Sequence, residues 1–109
     1  NYYFAFMNPN NATGASATQI QILDVSTTSR ALGNAAGEFL NADIKIFNPS
    51  NANHFCTIGF VTHHQSQDGT ATLNHGSGQR STAKAINAIR LFLSVGNITS
   101  GIFKLYGIR

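Results

Sequence analysis

Four histidines, His54, His63, His64 and His75, are the most versatile chemical groups in this sequence. His63 and His64 stand before an Asp68-Gly69 pair, a strong hairpin-turn signal, and His75 stands after it. Folding back at that turn brings His75 toward only one of the pair, because adjacent residues on a strand project to opposite faces. Two imidazoles and a carboxylate would suit a divalent metal, but the sequence has no HxH, HxxxH or HExxH spacing, so no metal site is assigned. His63, His64 and His75 stay as candidate ligand contacts, with surface hydrogen bonding as their expected role.

The carboxylates are Asp24, Glu38, Asp43 and Asp68. Hydrolysis of a glycosidic bond needs two of them held roughly 5–9.5 Å apart across a cleft, and nothing in their spacing pairs them. The serines lie in no GxSxG motif, and Gly76-Ser77-Gly78 lacks the GK[ST] of a phosphate loop, so it reads as an ordinary loop. Cys56 is the lone cysteine, which excludes an intrachain disulfide, and its apolar surroundings from Phe55 to Val61 predict a buried, unreactive thiol. No catalytic residue and no cofactor is therefore assigned. Asn11-Ala12-Thr13 and Asn97-Ile98-Thr99 are sequons that matter only on a eukaryotic secretory route.

Most of the aromatic residues fall in strand-like runs and are expected in the core. Phe47 and Phe92 alternate away from the aliphatic face, which makes them candidates for stacking on a sugar or packing on a neighbour. Arg80, at the end of the Gly76–Arg80 loop, is a further candidate ligand contact. The absence of tryptophan weakens a lectin reading.

Those residues need elements to position them, and the composition favours strands. Asn, Ser, Thr and Gly supply 41 of the 109 residues, and only 10% are charged, which is turn chemistry rather than that of a long helix. A hydrophobic content of 42% excludes a disordered tail. Seven scattered cations give a net charge of +3 without a basic run, so no nucleic-acid partner is expected. No apolar run approaches the ~18 residues of a membrane-spanning helix, and no membrane insertion is expected. The start at Asn1, directly before an aromatic run, suggests a fragment, a processed product or the ordered part of a longer polypeptide.

The hydrophobic period is two. Leu40, Ala42, Ile44 and Ile46 alternate with Asn41, Asp43, Lys45 and Phe47, a strand with one buried face that ends at Asn48-Pro49. Residues 54–64 predict a strand covered on both sides, with a shorter, polar strand near 70–75. Further strands are expected over 2–7, 19–25, 86–95 and 101–108. Loops are expected at Asn8–Asn11, around Gly14, and over 26–37. A helical turn at Ser81–Ala88 is a competing local reading. About seven strands predict an all-β fold, an antiparallel, jelly-roll-like β-sandwich spanning residues 1–109 as one domain.

The closing residues carry a family pattern. Ala88-Ile89-Arg90 opens a segment that continues through Gly96-Asn97-Ile98-Thr99-Ser100-Gly101 to Phe103-Lys104-Leu105-Tyr106-Gly107-Ile108. It resembles the AIRF, SSGNIASG and FKLYGI endings of a group of tailed-bacteriophage virion proteins. Gly33-Asn34-Ala35-Ala36-Gly37-Glu38, Ile44–Ser50 and Gly76–Arg80 are similar to the group's GNAAGE, YNPS and GSGQR stretches. Phe47, Val95 and Thr99 depart from the common tyrosine, serine and alanine. Gly96 and Asn97, like Asn48 and Pro49 and like Asp68 and Gly69, are read as turn-formers, and Ser100 and Gly101 as a close approach into the last strand.

The resemblance implies a non-enzymatic structural and adhesive module, the C-terminal domain of a tail fibre or similar exposed appendage, from a longer or processed virion protein. It implies other virion proteins as partners, a homo-oligomer with a trimer favoured, and a bacterial surface glycan as ligand. A capsid decoration, head-fibre or collar protein is the alternative, and a fragment of a polysaccharide-degrading tailspike ranks below both.

Overall fold

The computed structural model describes residues 2–7, 12–16, 18–23 and 31–108. Five strands form: β1 (Tyr2–Met7), β2 (Ala12–Ser16), β3 (Leu40–Phe47), β4 (Thr57–Gln65) and β5 (Ala71–Arg80). They build one antiparallel sheet in the order β2-β1-β5-β4-β3. The fold is all-β, with no helix among the described residues.

Turn chemistry sets the strand ends. β3 stops where Asn48 takes a left-handed φ of 50° and Pro49 has no N–H to donate; Asn51 N–H then closes the turn on the Asn48 carbonyl at 3.2 Å. Between β4 and β5, Gly69 takes φ 82°, Ser66 N–H donates to the Thr70 carbonyl at 2.9 Å, and Thr70 N–H donates to Asp68 Oδ1 at 3.0 Å. The Asp68 side chain thus holds the reversal that aligns His64 with Thr72 and Thr62 with Asn74.

Alternation along β4 and β5 separates two unlike faces. One buries Phe60, Thr62, His64, Thr72 and Asn74. Residues 18–23 and 31–33 run against it: Thr62 Oγ1 donates to the Ile22 carbonyl at 3.0 Å, and Leu32 bridges Ser66. Asn74 Nδ2 donates in turn to Thr62 Oγ1 at 3.2 Å. Cys56 and Phe60 are the buried hydrophobic residues among those described, so the interior is made largely of polar side chains, with Thr62 and Asn74 tied into it by hydrogen bonds.

Several expectations are corrected. Gly76–Arg80 is strand, not loop, so β5 runs to Arg80 instead of stopping near residue 75. The glycine there makes room: a Cβ on Gly76 would come within 2.7 Å of the Phe60 ring and would clash with the Ala5 carbonyl. Residues 12–16, around Gly14, form β2 instead of a loop because they pair with β1. β4 is fully covered on one side only; on its other side Val61 is exposed and His63 half-buried. Among the aromatics expected in the core, Phe39, Phe55, Phe103 and Tyr106 are exposed.

Residues 19–23 form no strand, and 24–25 lie outside the described residues, as do Asn8–Asn11 and residues 26–30 of the expected loops. Ser81–Ala88 bends and then runs on without a helical turn, and the segments 86–95 and 101–108 carry no strand pairing. The sheet therefore has five strands instead of about seven, and among the described residues no second sheet packs on it.

Candidate functional site

The sheet's second face is open. β3 contributes Asn41, Asp43, Lys45 and Phe47, β4 contributes Val61 and His63, and β5 contributes Leu73 and His75, at facing or diagonal register positions. Phe47, Val61 and Leu73 are all exposed there. His63 is half-buried beneath Phe39, which meets it edge-on with ring centres 5.6 Å apart and planes at 73°. His75 faces Val61 across the ladder while His63 faces Leu73, so the two imidazoles are diagonal neighbours on this face. His64 projects to the other side and is fully buried. Among the described residues no group of three or more His, Cys, Asp and Glu side chains converges as a metal would require.

The carboxylates serve their own loops. Glu38 folds back over Gly33, where a Cβ would collide with it, and accepts the Ala35 N–H. Gly37 makes this turn possible with a φ of 89°. The Ser66 hydroxyl, followed by the Thr70 N–H, holds the Asp68 carboxyl below its ordinary value. Asp43 is exposed on the open face, and Asp24 lies outside the described residues.

A second feature forms where β5 ends. Tyr2, Arg80 and Lys84 line an open cleft of about 300 Å³ together with the chain from Ala85 to Ala88. Tyr2 and Arg80 are brought together because β1 pairs along β5. Arg80 N–H donates to the Cys56 carbonyl at 3.0 Å, which fixes the strand end beside the buried thiol. Burial pushes the Cys56 thiol above its ordinary value, and the Arg80 guanidinium partly opposes that.

The third feature is the chain beyond the cleft. Ile86 N–H donates to the Pro49 carbonyl at 2.6 Å, and residues 87–108 then continue with no strand pairing. Phe92 lies on this arm, with the Arg90 guanidinium carbon 5.0 Å from its ring centre, a cation–π contact that occupies one ring face. Gly96 takes φ 79° and Asn97 follows; Ser100 and Gly101 follow them along an exposed arm.

The structure thus places Phe47, His63 and His75 on the open face, His64 in the interior, Arg80 in the cleft and Phe92 on the arm. Sequence reasoning missed Phe39, Val61 and Leu73 on the open face, and Tyr2 and Lys84 beside Arg80. Extending the Asp68-Gly69 hairpin register by counting would have placed Val61 and Leu73 on the His63 face. Nothing local signals Tyr2, which reaches Arg80 across 78 residues of chain through β1–β5 pairing. No family model, curated protein or solved structure matches this chain.

Proposed function

We propose that this chain is a non-enzymatic structural and adhesive module of a tailed-phage virion, the C-terminal domain of a tail fibre or similar exposed appendage. The observation that carries this reading is that the segment most like those virion proteins, residues 88–108, is laid out as an exposed apolar arm. Such a surface suits assembly with other subunits better than catalysis. Two of the described carboxylates, Glu38 and Asp68, are engaged by their own loops, which leaves little for acid–base work.

In the assembled form, a closed homo-oligomer with a trimer favoured by the resemblance, the segments 86–95 and 101–108 are the remaining strands of a jelly-roll-like sandwich. The Tyr2–Arg80–Lys84 cleft is the proposed contact for a bacterial surface glycan carrying anionic groups: two cations attract the charge and the tyrosine offers a ring and a hydroxyl. Repeated copies raise avidity without tight individual sites.

Adsorption of the assembled chain to host cells, with an array of bacterial glycans beside it, tests the reading. Specific binding that weakens in the Arg80→Ala, Lys84→Ala variant is expected. An assembled chain that binds no cell and no glycan would overturn the adhesive role and favour capsid decoration or a collar. Release of reducing ends from host polysaccharide would overturn the non-enzymatic one.

A further inference from the structure

The chain leaves two apolar surfaces uncovered, and they match each other. One is the open sheet face with Phe39, Phe47, Val61 and Leu73. The other is the arm, on which Ile89, Leu91, Phe92, Val95, Ile98, Ile102, Phe103, Leu105, Tyr106 and Ile108 are all exposed, with Val95, Ile102 and Ile108 at 87%, 88% and 87%. We propose that the arm of one copy packs, as two strands joined at Gly96-Asn97, on the open sheet face of a second copy of this chain.

Four observations lead to this occupant. The arm departs from its own body after the Ile86–Pro49 hydrogen bond. Its remaining 22 residues, 87–108, fold at Gly96-Asn97 into two strands that each span roughly 30–35 Å when extended. That exceeds the roughly 26 Å of an eight-residue strand such as β3, so the folded arm is long enough to cross a neighbour's sheet face.

Charge disfavours arm against arm. The arm, 87–108, carries Arg90 and Lys104 and no carboxylate, a net +2, so two arms repel. Residues 1–86 hold Asp24, Glu38, Asp43 and Asp68 against Arg30, Lys45, Arg80 and Lys84 and balance to zero, and the open face itself carries Asp43 beside Lys45. An arm that meets a body therefore meets no net repulsion.

The core is short of cover. Cys56 and Phe60 are the buried hydrophobic residues among those described, a small apolar interior for a chain of this length. Covering the arm's apolar side chains would remove on the order of 1,000 Å² from water per copy, within the range of specific interfaces. Both halves of the contact lie in one sequence, so the exchange repeats from copy to copy, and a rotation that closes makes a ring. Period-two alternation in 86–95 and 101–108 gives each arm strand one apolar side to lay down.

This inference rests on the homo-oligomeric part of the proposed function and is independent of any glycan. Light scattering on the size-separated full chain should give a whole multiple of 11.7 kDa. The variant Ile102→Asp, Leu105→Asp should fall to a single copy and keep the far-ultraviolet signature of the sheet, because both side chains are exposed within one copy. A full chain that runs as a single copy, or a variant that keeps the full assembly, would overturn the proposal.

A second experiment asks where the arm lies. In a Cys56→Ser background, Val61→Cys is placed in one tagged population and Leu105→Cys in another, and the two are refolded together and oxidised. A disulfide between differently tagged chains is expected. Its absence, or its replacement by closure within one chain when both cysteines are placed together, would overturn the exchange. An assembly that cross-links in this way but binds no glycan leaves the exchange standing and overturns only adhesion.

Discussion

Gly76→Ala probes the packing that holds β1, β4 and β5 together. Gly76 faces Phe60 on β4 and position 6 on β1. The added Cβ would lie 2.7 Å from Phe60 Cζ and 3.0 Å from Cε2, and would strike the Ala5 carbonyl oxygen. Carbon atoms in good contact sit about 3.5–4.0 Å apart, so something must move. Phe60 is 2% exposed, so its ring cannot swing into solvent without leaving the interior. The Ala5 oxygen is strand backbone, and moving it opens the β1–β5 ladder. Overpacking of this kind costs roughly 1–3 kcal/mol, and a broken ladder bond adds about 1 kcal/mol.

We set the total near 3 kcal/mol, which at about 4–8 °C per kcal/mol corresponds to a fall in Tm of roughly 12–24 °C. Circular dichroism melts at fixed protein concentration measure it. Phe60→Leu in the same chain should return part of the loss, with a coupling on the order of 1 kcal/mol in the double-mutant cycle. A Gly76→Ala chain melting within about 2 °C of the parent would refute the placement of Phe60 against β5 and β1.

Other expectations follow from the same geometry. Thr62→Val removes both the donor to the Ile22 carbonyl and the acceptor for Asn74, inside a fully buried site, and should cost about 1–3 kcal/mol in urea melts. Asp68, held below its ordinary value of 3.8, contributes stability that is present above that pH and lost as pH falls through its lower folded value. The Tm gap between parent and Asp68→Asn should therefore narrow on acidification, and a gap that is constant from pH 7 to about pH 2 would contradict the turn's role. Cys56, buried and raised above 9.0, should react with a disulfide reagent at pH 8 far more slowly in the folded chain than in urea. Its contribution to stability is complete below 9.0 and declines as pH rises through the higher folded value. Equal labelling rates in the two states would place the thiol at the surface.

The strands that sequence alternation located best are those flanked by turn residues with a distinct backbone demand. β3 is bracketed by Gly37 and Asn48, both at positive φ, and its observed span, Leu40–Phe47, falls within the expected 38–48. The β4–β5 hairpin was legible because Asp68-Gly69 has a mechanism, side-chain capping followed by a left-handed glycine. Gly76 and Gly78 misled for the opposite reason. Glycine usually marks a loop, but here it leaves space under Phe60, and only the register Phe60↔Gly76 reveals that.

The segments 86–95 and 101–108 show a different limit. Alternation reports that a segment has a face to bury, not that the same chain supplies the cover. Of the candidate residues, His63 and His64 separated to opposite faces as strand geometry requires. Phe47 and Phe92 were singled out from alternation alone and are both exposed. The cleft was out of reach, because Tyr2 and Arg80 meet only through long-range pairing.

The central claim, that this chain is a structural component of a virion, is tested most directly by looking for it in purified particles of a phage whose genome carries this sequence. Quantitative mass spectrometry of those particles, with cryo-electron microscopy to place the chain, should find it at a fixed copy number in an appendage or on the capsid surface. Absence from particles that carry every other structural protein, with the chain present only in the soluble lysate, would contradict the account.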